Sequence, residues 1–113
     1  MTNFRRGDIV LVPFDFTDLT GSKARPAIVV SSDRYNQQTP DLVIASITSN
    51  LRALPHPGDR RVSHWRGAGL LRSSLVQTKL RTITNALVKR QLGALASPDL
   101  SAFDDGLREA LGL

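Results

Sequence analysis

Three short runs of apolar residues place the strongest constraint on how this chain folds. They are Ile9–Val12, Ala27–Val30 and Leu42–Ile47, all rich in β-branched side chains and bounded by polar residues or proline. Runs of this length and composition are typical of strands whose two faces are both covered. The sequence therefore predicts a fold built mainly from β-strands.

The second half of the chain predicts shorter strands. Strand-like residue patterns occur at 61–65, 74–78 and 80–83, and residues 87–92 fit either a strand or a helix. Many short strands in a small chain favour a closed or half-closed antiparallel barrel, because closure removes exposed sheet edges. Two polar stretches, Asp15 to Ala24 and Ser49 to Asp59, predict long surface loops between the strands.

The C-terminus carries a helix signature. Ser97 is predicted as the N-cap, Pro98 suits the first helical turn, and Asp99 lies where the helix dipole favours an anion. Gly112 is predicted to end the helix. Apolar residues spaced by three and four positions form one stripe along it: Leu100, Phe103, Leu107 and Leu111. We therefore expect one domain over residues 1–113, with strands first and a packed helix last.

Charge is distributed unevenly along the chain. The formal net charge is +5, but residues 1–97 hold fourteen basic and six acidic side chains, a net charge of +8. Residues 98–113 hold one basic and four acidic side chains, a net charge of −3. A cationic body attracts polyanions, so nucleic acid, an acidic protein segment and an anionic membrane are the partners to consider, beside plain solubility.

Composition also limits the chemistry. The chain has no cysteine and two histidines, which excludes disulfides and thiol chemistry and disfavours a rich metal site. No apolar run approaches the roughly twenty residues of a membrane span, and the N-terminus shows no signal-peptide pattern. We therefore expect a cytoplasmic protein without a membrane segment, a metal or another cofactor.

Four segments, taken together and in order, carry a resemblance to a known family. They are Arg6–Val10, Gly21–Val30, Ala45–Ser49 and Lys79–Ile83. With the terminal helix they cover nearly the whole chain, which resembles the MazF/PemK toxins of type II toxin–antitoxin systems. The resemblance implies a small antiparallel SH3-like barrel of the MazF/CcdB/PemK kind and a homodimer. It also implies metal-independent, sequence-specific cleavage of single-stranded RNA, and an antitoxin whose acidic segment occupies the RNA groove.

The resemblance further implies which residues act. The family's catalytic arginine lies in the Arg-Pro pair that opens the second strand, here Arg25, and its catalytic threonine or serine ends the third strand, here Thr48. The Gly-Ser pair beside the substrate phosphate is Gly21 and Ser22. The predicted RNA-binding residues are Gly21, Ser22, Lys23, Arg52 and Arg81.

These residue types suit cleavage by the RNA's own 2′-OH, which leaves a 2′,3′-cyclic phosphate and a 5′-OH. A planar guanidinium binds two phosphate oxygens at once, so Arg25 suits charge stabilisation in the transition state, with proton transfer left open. The hydroxyls of Thr48 and Ser22 can donate to phosphate oxygens. Further candidates for contacts to flanking phosphates are Arg60, Arg61, Arg72 and Lys89.

Other interpretations stay open. An arginine before proline can be a solvated strand entrance, and Thr48 can make only a local turn bond. His64 is a candidate base for the 2′-OH or a surface histidine, and His56 is expected to be exposed. The alternative functions are a non-catalytic CcdB-like toxin that binds DNA gyrase and a generic RNA-binding barrel, which would need stronger aromatic platforms. The joint presence of Arg25 and Thr48 favours the ribonuclease.

Overall fold

One antiparallel sheet organises the molecule. The computed structural model describes residues 3–13, 24–52 and 55–113, which form six strands in the order β4-β5-β3-β2-β1-β6. The strands are β1 (Asp8–Pro13), β2 (Ala24–Val29), β3 (Asp41–Thr48), β4 (Arg60–Arg61), β5 (Leu75–Thr84) and β6 (Arg90–Ala94). The sheet curls into a half-barrel, which confirms the predicted mainly-β fold in its half-closed form.

The terminal helix packs on the sheet. Helix α2 (Ser97–Leu111) is confirmed, and Gly112 ends it in the left-handed region with φ 72°. The prediction of Ser97 as N-cap is wrong, because the helical hydrogen bonds begin at the carbonyl of Ala96, which accepts from the Leu100 amide. None of the described helices is long and apolar enough to cross a membrane.

Two further helical segments have no apolar periodicity in the sequence. They are α1 (Asp33–Gln38) and a 3-10 helix (Asn85–Leu87), and neither is long enough to display an apolar stripe. The first turn of α1 is stabilised by Ser32, whose hydroxyl accepts a hydrogen bond from the Tyr35 amide. Local capping therefore forms a helix that periodicity does not predict.

The three apolar runs form the centre of the sheet because both of their faces are covered. On one face Ile9 and Ile28 pack in a cluster with Phe103 of α2. On the other face Val10 and Val29 belong to a second cluster. All five side chains are fully buried. Burial on both faces explains why these runs are continuous rather than alternating.

The later strands differ from the prediction. The strand expected at 61–65 is present only at Arg61 in β4, because the amides of Ser63 and His64 donate to Asp99 instead of to a neighbouring strand. The strands expected at 74–78 and 80–83 are one strand, β5. Between Ala45 and Ile47 the β3–β5 register shifts, and residues 77–79 lie opposite Ser46. This bulge interrupts the alternation that would otherwise mark one long strand.

Candidate functional site

Arg25 and Thr48 lie on neighbouring strands at the same end of the sheet. β2 and β3 pair with Ala27 opposite Ser46. Arg25 lies two residues before Ala27 and Thr48 two residues after Ser46, so both lie just beyond this pairing, at the same end of the two strands. Both residues also line one cavity of about 500 Å³. The sheet therefore brings together the two residues that the family resemblance implies to be catalytic.

The cavity is cationic. Three arginines line it, Arg25, Arg72 and Arg90, and no carboxylate is among the described residues of its wall. Hydroxyl and amide groups come from Thr48, Ser49, Asn50 and Ser74. Much of the remaining surface is aliphatic and is supplied by Leu11, Pro26, Ile47, Leu70, Leu71 and Leu92. Such a wall suits a ligand with both anionic and apolar parts.

The two central side chains differ in how they are held. Arg25 is exposed, and no described residue forms an ion pair or hydrogen bond with its guanidinium. Thr48 is half-buried, and its Oγ1 accepts a hydrogen bond of 3.1 Å from the Asn50 amide. This is the local turn bond that the sequence left open. Because a hydroxyl can accept and donate at the same time, Thr48 can still donate to a ligand.

A loop at residues 62–74 forms the wall that faces the strands. The carboxylate of Asp99 in α2 accepts hydrogen bonds from the amides of Ser63 at 3.0 Å and His64 at 2.9 Å. Burial raises the pKa of Asp99, but these two bonds and the nearby His64 side chain outweigh it, so the pKa lies below its usual value. The charged carboxylate thus anchors the start of this loop to the helix.

The same loop is held against β6 by backbone contact. A Cβ atom built on Gly69 would lie 2.1 Å from the carbonyl oxygen of Leu92, and one built on Gly93 would lie 2.2 Å from that of Ala68. Only glycine permits so close an approach, and Gly69 also has φ +87°. This contact places Leu70, Leu71 and Arg72 at the cavity.

The histidines lie outside the cavity wall. His64 Nδ1 is 3.4 Å from Asp99 Oδ2, and the imidazole is 61% exposed. His56 is exposed, and its amide donates to Asp59. The geometry therefore gives neither histidine a place beside Arg25 and Thr48.

The predicted RNA-binding residues that the structure describes do not line the cavity. Gly21, Ser22 and Lys23 lie outside the described residues. Arg52 is in the turn after β3, where its amide donates to the Asn50 side chain, and it does not line the cavity. Arg81 pairs with Ile44, roughly 13 Å along β3 from Thr48 at the usual rise per residue. Contacts of Arg52 and Arg81 with RNA stay predictions for surfaces beyond the cavity.

Sequence reasoning missed most of the cavity wall, including Arg90 and Asn50. Arg90 reaches the cavity because β6 pairs with β1 and sets Arg90 opposite Leu11. Asn50 lies there because the turn after Thr48 folds back on the strand end. The strand preference of residues 90–92 is the sequence signal that could have indicated Arg90. Only the pairing of β6 with β1 brings that arginine to this end of the sheet.

Comparison with known proteins places the fold. The family model described as "PemK-like, MazF-like toxin of type II toxin-antitoxin system" matches residues 5–111. An endoribonuclease from a Mycobacterial species is 22% identical with a TM-score of 0.77, over 100% of this chain and 95% of that one. A Mycobacterial endoribonuclease in complex with its cognate antitoxin is 23% identical with a TM-score of 0.75, over 100% and 97%.

A third structure gives the same result. The MazE–MazF complex (Form-II) from Deinococcus radiodurans is 25% identical with a TM-score of 0.74, over 100% of this chain and 99% of that one. The fold is therefore shared from end to end, although few residues are identical. With nearly its whole length matched by the family model, the chain belongs to the PemK-like, MazF-like toxins of type II toxin–antitoxin systems.

Proposed function

We propose that this toxin is an endoribonuclease that cleaves single-stranded RNA, including mRNA, at short sequences and without a metal, and thereby inhibits translation and growth. The observation that carries the proposal is that Arg25 and Thr48, at the same end of two neighbouring strands, line one cationic cavity. The similar structures named as endoribonucleases support it. The proposed toxin domain comprises residues 1–113.

RNA supplies its own nucleophile. The 2′-oxygen attacks the adjacent phosphorus, the bond from phosphorus to the 5′-oxygen breaks, and the products are a 2′,3′-cyclic phosphate and a 5′-OH. The proton lost by the 2′-OH balances the proton gained by the 5′-oxygen. The protein therefore needs to position the strand and to stabilise the charge that grows on the phosphorane oxygens.

Arg25 is suited to that second task. Its planar guanidinium can donate to two phosphate oxygens at once, and it is not committed to any described carboxylate. A guanidinium keeps its proton at neutral pH, so its main role is electrostatic. Thr48 adds a hydroxyl donor whose oxygen is oriented by the Asn50 amide. Gly21 and Ser22, which precede β2 in the sequence, are proposed to contact the same phosphate, and Lys23 is proposed to bind RNA.

The proposed partners follow from family and charge. The toxin forms a homodimer, and its cognate antitoxin has an acidic, apolar segment that competes with RNA for the cationic surface. The net charge of +8 over residues 1–97 supports such a partner. The similar structures solved with an antitoxin support it too. We place the reaction in the cytoplasm, where its mRNA substrate is found.

The test is cleavage of single-stranded RNA by purified protein in EDTA, with the ends of the products mapped. Arg25→Ala and Thr48→Ala are each expected to slow single-turnover cleavage by about a hundred- to a thousandfold, as for loss of one donor to a developing oxyanion. Their free energies of unfolding are expected to change by less than about 1 kcal/mol, because neither side chain fills the core.

Arg34→Ala is the matched control. Arg34 is an exposed arginine of α1, beyond the end of β2 that is opposite to Arg25. Its substitution therefore removes the same charge at a position away from the cavity. Arg25→Lys separates charge from geometry: substantial activity indicates that charge suffices, and near-complete loss indicates that the planar fork is required. A folded Arg25→Ala variant that cleaves at nearly the wild-type rate would contradict the proposal.

A further inference from the structure

The cavity holds more positive charge than the proposed reaction needs. One phosphodiester carries one negative charge, and a single guanidinium can cover both of its non-bridging oxygens. Arg72 and Arg90 therefore remain after Arg25 is assigned to the scissile phosphate. Three other arginines in the structure, Arg6, Arg60 and Arg108, each bind a carboxylate. No described carboxylate neutralises Arg72 or Arg90 in this way.

We propose that Arg72 and Arg90 bind the phosphates that flank the scissile one, so that the cavity holds consecutive phosphates of one RNA strand. This inference rests on the proposed function, because it takes single-stranded RNA as the ligand. It assigns the two residues to binding and positioning of the strand, and it leaves the reacting phosphate to Arg25 and Thr48.

Arg90 is placed by the sheet. It lies opposite Leu11 of β1, and Leu11 lies opposite Pro26 of β2, the residue after Arg25. Because neighbouring strands are about 4.8 Å apart, the backbones carrying Arg90 and Arg25 are separated by roughly 10 Å. Two guanidiniums on strands with β1 between them suit two different phosphates better than one shared phosphate.

Arg72 is placed by the loop on the other side of the cavity. Its carbonyl accepts a hydrogen bond of 2.8 Å from the hydroxyl of Ser74, which is only 4% exposed. The carbonyl of Ser74 in turn accepts from the amide of Val62, also buried. The backbone of Arg72 is thus fixed while its side chain is exposed, which is the arrangement expected of a residue that binds an external anion.

The aliphatic part of the wall favours a nucleotide over a simple anion. Leu71, next to Arg72, is 93% exposed and lines the cavity together with Leu70 and Leu92. An unstacked base can rest on such a surface while its phosphate pairs with arginine. An acidic peptide would also be attracted, and the experiment below separates the two ligands.

The test measures binding rather than cleavage. A short, fluorescein-labelled 2′-O-methyl RNA of mixed sequence cannot be cut, because its 2′-oxygen is blocked. Its affinity is measured by fluorescence anisotropy over a series of salt concentrations. For single strands, log K changes with log salt by about −0.7 per phosphate contact. Arg72→Gln and Arg90→Gln are each expected to make the slope shallower by about 0.7, whereas Arg34→Gln leaves it unchanged.

Cleavage of unmodified RNA gives a second readout. A flanking phosphate is held equally in the ground state and the transition state, so both variants are expected to raise KM and to leave kcat near the wild-type value. Circular dichroism verifies that the variants are folded. If the wild-type protein binds RNA but does not cut it, the proposed function fails, and the salt slopes still decide this inference.

Three outcomes would overturn the inference. The first is an unchanged salt slope in both variants. The second is an equal change in Arg34→Gln, which would mean that net charge alone matters. The third is weakened binding of poly-glutamate with RNA binding unaffected, which would assign the two arginines to an acidic peptide.

Discussion

At the scale of the residue, Asp99 links stability to pH. The pKa of Asp99 is lowered, so the folded protein stabilises the charged carboxylate relative to the protonated carboxyl group. A group with a depressed pKa stabilises the fold above its unfolded pKa, and this contribution is lost as the pH falls through the folded value. The contribution of Asp99 is therefore fully present at neutral pH and is lost in acid.

Asp99→Asn tests this assignment by urea unfolding at several pH values. At neutral pH the variant is expected to lose about 2 kcal/mol of unfolding free energy, because two amides lose a charged acceptor. The difference from wild type should shrink below about pH 4, where the carboxyl is protonated in the unfolded chain. Asp105→Asn, on the same helix but 70% exposed, is the control and should have little effect. A difference that is constant with pH would contradict the assignment.

At the scale of the element, the 62–74 loop depends on its contact with β6. Gly93→Ala is expected to cost about 1–3 kcal/mol, because the new Cβ atom would meet the Ala68 carbonyl oxygen at 2.2 Å. The displaced loop should also weaken RNA binding, since it carries Arg72. Thermal unfolding and the anisotropy assay measure the two effects.

Gly67→Ala is the matched control within the same loop. A Cβ atom at Gly67 would have its nearest contact at 3.9 Å, which is ordinary van der Waals distance. Its effect on stability should stay within about 0.5 kcal/mol. If Gly93→Ala is as well tolerated as Gly67→Ala, the backbone contact does not hold the loop.

At the scale of the whole molecule, we predict a homodimer. The chain measures 35 × 30 × 29 Å and its cavity opens to solvent, so one copy offers a short binding surface for an RNA strand. A two-fold dimer would combine two cationic surfaces in one particle. Sedimentation velocity at micromolar protein should give the mass of two chains. A single monomeric species at those concentrations would contradict the prediction.

The sequence predicts the molecule best where local pattern and tertiary environment agree. The three apolar runs become β1, β2 and β3 because burial on both faces requires continuous apolar residues. The positions of Arg25 near the start of β2 and of Thr48 at the end of β3 therefore follow as soon as the strands are identified. The short β4 and the loop after it are not predictable in this way, because Asp99, distant in sequence, takes the backbone amides that a strand would use.

The residues that line the cavity also depend on contacts between segments that are distant in sequence. Arg72 can be proposed from charge alone, as one of several exposed basic residues. Arg90 cannot be selected from the basic residues around it until the pairing of β6 with β1 is known. A strand's residues can be predicted from local sequence, but the residues that line a cavity depend on which strands are neighbours.

The sheet positions of Arg25 and Thr48 have a consequence for how such toxins diverge. Arg25 and Thr48 belong to paired strands, whereas Asn50, Leu71 and Arg72 are carried by loops. Loops tolerate substitution and changes of length much more readily than paired strands do. In the proposed ribonuclease, the strand residues assigned to cleavage can therefore stay constant while substitutions in the loops change how the RNA strand is held.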